Sequence, residues 1–81
     1  MLTDYIQAAM RKAHYEILPD GEGYFGKIPV LQGVWANADT LEACRQELQE
    51  VLEEWIMMDL KLGIPIPVID GIELNVVEET I

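Results

Sequence analysis

Nucleophilic catalysis needs a serine, cysteine or threonine within hydrogen-bond reach of a base, and this chain offers one histidine, one cysteine and no serine. His14 opens a stretch with strand character, whereas Cys44 falls on the apolar stripe of a helical stretch, where a small buried thiol is the usual occupant. The spacing therefore predicts a core role for Cys44 and a surface or strand-edge role for His14, not a catalytic pair. One cysteine and one histidine also exclude the common structural zinc sites. Two-metal chemistry would need carboxylates converging from strands and helix onto one point. Here Asp20 and Glu22 sit in a turn, Asp39 stands at a helix start, and Glu47, Glu50, Glu53 and Glu54 read as a solvated helix face. There is no GxxxxGK[ST] and no GxGxxG, and Gly21, Gly23 and Gly26 read as turn and strand-edge glycines. The expectation is a protein without catalysis, metal or cofactor.

Charge points to a different kind of work. Fifteen carboxylates against five basic residues give a formal net charge of −10. Residues 1–18 are balanced, while residues 19–54 carry eight acids against Lys27 and Arg45, so the acidity belongs to the body of the chain. Such a surface repels a phosphate backbone. Arg11 and Lys12 are the only adjacent basic pair, and no basic stripe accompanies Tyr24, Phe25 and Trp35. Direct nucleic-acid binding is therefore not expected. Solubility alone would account for the acids; a surface that attracts a basic protein is the sharper reading.

The 81 residues, 51% apolar and 25% charged, have the composition of one globular domain spanning 1–81. No apolar run approaches the length of a membrane span. The N-terminus lacks the basic start and apolar core of a signal peptide, which places the protein in the cytoplasm as an expectation.

Patterning supplies the elements. Thr3 as N-cap, followed by Tyr5, Ile6, Ala9, Met10 and Ala13 at helical spacing, predicts an N-terminal helix within 1–13. His14–Leu18, the turn Pro19-Asp20-Gly21-Glu22-Gly23 and Tyr24–Ile28 predict a hairpin. Val34-Trp35-Ala36 predicts a third strand, ended by a turn at Asn37-Ala38. Asp39-Thr40-Leu41-Glu42 resembles a capping box and opens a long helix. Its apolar stripe is Leu41, Cys44, Leu48, Val51, Leu52, Trp55, Met58 and Leu62. Phe25 and Trp55 are expected in core or half-buried packing, and Met57 and Met58 either fill the core or form an adaptable contact. Gly63 and Ile64-Pro65-Ile66-Pro67 stop the helix, and Ile72–Val77 alternates as a fourth strand. The expected architecture over 14–77 is α+β: one mainly antiparallel sheet of three to four strands, with its apolar face under the long helix and a short helix before it.

The ordered segment from Asp20-Gly21-Glu22-Gly23-Tyr24 through Pro29, Leu31, Gly33 and Asp39-Thr40-Leu41-Glu42 to Ile64-Pro65-Ile66-Pro67 resembles the HicB antitoxin family, with coverage from about His14 to Pro67. Val30, Gln32, Val34 and Ala38 depart from its usual Asp, Pro, Cys and Gly. The added N-terminal helix and the phrase Leu31-Gln32-Gly33-Val34-Trp35-Ala36 resemble a subgroup. The resemblance implies a partial ribonuclease-H-like fold without metal-binding acids. It also implies a partner, a HicA-like basic ribonuclease that cleaves messenger RNA, neutralised by occlusion. Asp20, Glu22, Tyr24, Trp35, Glu50, Glu53 and Glu54 are the candidate partner-binding residues. Many members carry a DNA-binding domain after this region; with the chain ending at Ile81, none is expected here. The competing reading is an orphan interaction or structural domain that associates only with itself. Both readings imply a homo-oligomer, a dimer or higher, because one helix leaves a sheet face or edge uncovered, and Ile72–Val77 is the candidate pairing strand.

Overall fold

The computed structural model describes residues 2–74. Helix α1 (Leu2–Arg11) leads into strand β1 (His14–Ile17), followed by β2 (Tyr24–Lys27), β3 (Trp35–Ala38) and the long helix α2 (Leu41–Leu62). The strands form one antiparallel sheet in the order β1-β2-β3, so the expected α+β class is correct. In register, Tyr15 faces Gly26 and Gly26 faces Ala36, while Glu16 faces Phe25 and Phe25 faces Asn37. Side chains alternate across a strand. Tyr15, Gly26 and Ala36 therefore share the face covered by α2, and Phe25, Lys27, Trp35 and Asn37 share the open one.

The turn between β1 and β2 holds Asp20 at φ 57° and Gly21 at φ 69°, a left-handed pair of the kind that short polar residues and glycine tolerate. Gly26 is needed for a different reason. A β-carbon there would stand 2.8 Å from the Tyr15 ring and 3.2 Å from Cys44 Sγ, so α2 can approach the sheet this closely only over a glycine. Cys44 is fully buried, and its thiol donates a 3.6 Å hydrogen bond to the Ala36 carbonyl. Burial pushes its pKa up, with Glu47 adding to the effect, which fits the core role read from its spacing.

α2 runs 22 residues, about 33 Å at 1.5 Å per residue. A four-residue strand spans only about 13 Å. The first half of the helix packs on the sheet through Cys44 and Leu48; the second half extends past it. There α1 and the segment after α2 complete the core: Tyr5, Ala8 and Ala9 meet Leu52, Ile56, Ile66 and Ile69 in one buried cluster with Ile28, Leu31 and Val34. Tyr5 donates its hydroxyl proton to the Pro67 carbonyl at 2.5 Å. Lys12 and Arg11 reach Asp70 at 3.1 and 4.0 Å; such half-exposed pairs contribute little. Gly63, at φ 72°, caps α2, and the Ile64 amide returns to the Asp59 carbonyl, the stop expected from sequence.

Several expectations are corrected. α1 begins at Leu2, so Thr3 lies inside its first turn and is not the cap. The cap of α2 is Thr40, whose Oγ1 accepts the Ala43 amide at 3.0 Å, one residue later than the Asp39 box. β3 runs from Trp35 to Ala38, so Asn37 and Ala38 are strand and not turn. On α2, Leu41, Met58 and Leu62 are exposed, as is Met57, whereas Ile56 and Asp59 are buried. Phe25 and Trp55 are half-buried, in line with their expected packing. In the fourth-strand stretch, Ile72 forms an isolated bridge with Ile69 around the Asp70-Gly71 turn; residues 75–77 of that stretch lie outside the described residues.

Candidate protein-docking site

The seven sequence candidates do not converge. Asp20 and Glu22 are exposed in the hairpin turn. Tyr24, next to them, is half-buried and pairs with Ile17 and Ala38. Trp35 stands at the opposite end of the β2–β3 ladder, paired with Lys27. Three residue steps of strand separate the two ends, about 10 Å. Glu53 belongs elsewhere: it accepts a 3.2 Å hydrogen bond from Gln49 and lines a cleft with Arg11 and Arg45 on the α1 side of α2.

Trp35, Glu50 and Glu54 do come together. They border a cleft of about 500 Å³ between the outer edge of β3 and the flank of α2, joined by Asn37, Glu47 and Val51. Glu47 and Asn37 line this cleft but are not among the sequence candidates. Glu47 carries a readable signal, since 47, 50 and 54 repeat at the three- and four-residue intervals that align side chains on one helical face. Asn37 carries none, because Asn37-Ala38 has the local character of a turn. Among the described residues, no lysine or arginine borders this cleft, so its lining is negative; Lys27 pairs with Trp35 and Arg45 shares an adjoining cleft with Glu50.

Trp35 is 54% exposed. It stacks on Phe25 with ring centroids 5.9 Å apart and planes at 30°, which holds the indole in place on the edge strand. An ordered aromatic beside three solvated carboxylates suits a cationic, partly apolar protein surface better than a small molecule, because the cleft is open and lacks buried polar anchors. Among the described residues, no buried side-chain nitrogen or oxygen lacks a partner. Among the same residues, no group of three or more histidine, cysteine or carboxylate side chains is arranged to hold a metal ion, and no helix is long and apolar enough to cross a membrane.

A family model described as UPF0150-like matches residues 4–67. The crystal structure of TTHA0281 from Thermus thermophilus superposes with a TM-score of 0.87 at 38% sequence identity, over 94% of each chain. No curated protein matches the chain.

Proposed function

The chain belongs to the UPF0150-like family, which is of the HicB-like antitoxin type, and from that premise we propose that it binds and occludes a HicA-like ribonuclease toxin. The observation that carries the reading is the family match, which runs from within α1 through both prolines after α2. The charge supports it. A domain with a net charge of −10 meeting a small basic RNA-binding enzyme accelerates encounter and competes with RNA phosphates for the same basic face. The protein performs no chemistry in this scheme: it covers the toxin's RNA-binding surface and catalytic histidine. It works in the cytoplasm, where the toxin's messenger RNA substrates are.

Self-association belongs to the same proposal. One helix covers one face of the sheet and leaves the other open among the described residues, a face that a second copy can cover beyond the Trp35 edge. Light scattering on the purified protein should give at least twice the 9.2 kDa chain mass; a monomer would remove this part.

The functional reading is tested in cells. Co-expression with a HicA-like ribonuclease encoded beside it should relieve the growth arrest that the enzyme causes and yield a complex on affinity purification. Continued arrest with no recovered complex would overturn the reading and favour an orphan that associates only with itself.

A further inference from the structure

Strand β3 has an outer edge that no other strand covers among the described residues. Which of its backbone groups face outward follows from the ladder. The Ile28 amide donates to the Val34 carbonyl, and Gly26 pairs with Ala36 and Tyr24 with Ala38. Bonded and non-bonded pairs alternate in antiparallel strands, so residues 34, 36 and 38 turn their amides and carbonyls toward β2. The Leu18 amide, which donates to the Gly23 carbonyl on the other side of β2, fixes the same phase. Trp35 and Asn37 therefore present N–H and C=O groups away from the sheet, into the cleft flanked by Glu47, Glu50 and Glu54.

We infer that this edge receives an extended segment of a protein partner, added antiparallel to β3, with basic residues at alternate positions facing α2. An uncovered edge is a template for strand addition, and here its flanking charge selects the strand. A second copy of the chain pairing β3 to β3 would bring two sets of the same three glutamates together, with no basic side chain among the described residues bordering the cleft to offset them. A basic segment meets them with opposite charge. Spacing sets the pattern. Glu50 to Glu54 spans roughly 6 Å of helix axis, and alternate residues of a strand lie about 6.8 Å apart, which matches two lysines or arginines separated by one residue. Trp35 flanks the segment as an apolar wall. This inference rests on the antitoxin reading for the identity of the partner, and the edge itself is tested without it.

In one arm, a capped peptide of alternating arginine and valine is titrated at low salt into the isotopically labelled full chain. Saturating amide shifts at Trp35, Asn37 and the 47–54 flank of α2 are expected, and the same peptide with glutamate for arginine should give none. Shifts elsewhere, no shifts, or edge amides already protected from exchange in the free protein (by a second copy or by residues 75–81) would overturn the inference. In the other arm, Asn37→Pro removes the outward amide at a position where an edge strand tolerates proline, and E50K/E54K reverses the flank without touching the backbone. Each should weaken the complex with the HicA-like ribonuclease tenfold or more, while circular dichroism remains that of the parent. Parental affinity in both variants would sink the edge inference and leave the antitoxin reading standing. Failure of the unsubstituted protein to bind the ribonuclease would overturn that reading, while the peptide arm still decides the edge.

Discussion

The two faces of the three-stranded sheet carry opposite residue chemistry, and the contrast separates what holds the molecule together from what it shows to a partner. Under α2 the sheet presents Gly26 and Ala36 beside the half-buried Tyr15 ring, and the helix answers with Cys44 and Leu48, both buried. On the open face, Phe25 and Trp35 stack beside Lys27 and Asn37 with nothing above them among the described residues. The closest approach of helix and sheet thus uses the smallest residues, while Phe25 and Trp35 stand on the side that the helix does not cover. On the proposed reading, stability and recognition occupy different sides of the same strands.

Substitutions can break that contrast, and the largest effect is expected in the covered layer. Leu48 is completely buried, so Leu48→Ala should destabilise by about 3 kcal/mol through lost transfer energy and a cavity, read from the urea midpoint. Gly26→Ala should follow at about 2 kcal/mol, since its new methyl would have to displace the Tyr15 ring or the Cys44 sulfur; a neutral result would show that the helix can lift from the sheet. Tyr5→Phe should cost about 1 kcal/mol at neutral pH by leaving the Pro67 carbonyl without its donor. Its pH dependence has a definite sign. Burial raises the Tyr5 pKa above the ordinary value of 10.0, so the folded state favours the protonated phenol. That contribution is whole below about pH 10 and is lost as pH climbs through the raised value. The parent's midpoint should therefore fall toward that of Tyr5→Phe in alkali. The smallest change in stability belongs to the open face: Trp35→Ala removes one exposed stack, worth about 1 kcal/mol or less, yet should weaken toxin binding at least tenfold. Equal losses of stability for Trp35→Ala and Leu48→Ala would erase the distinction.

The sequence is most legible where local signals agree. The hairpin, the long helix and its stop at Gly63 each rest on residues a few positions apart, and each forms as expected. Cap and strand end are misplaced for one reason: Asp39 looks like a cap and Asn37-Ala38 like a turn, but pairing with β2 draws Asn37 and Ala38 into strand and moves the cap to Thr40. The buried face of the second half of α2 is less legible. Periodicity alone favours Met58 and Leu62, whereas that half lies beyond the sheet and buries Ile56 and Asp59 instead. The site is legible in part. Trp35, Glu50 and Glu54 share a cleft because β3 lies alongside α2, a tertiary fact; Asp20, Glu22 and Tyr24 are held at the other end of the ladder by the hairpin register.

The central claim is that this acidic chain silences a ribonuclease by covering it. The most direct measurement is cleavage of a messenger RNA by the purified HicA-like enzyme as the protein is titrated in. Cleavage should stop at a fixed stoichiometric ratio, and added salt should weaken the inhibition. Undiminished cleavage at saturating protein, or cleavage of the RNA by this chain alone, would contradict the account.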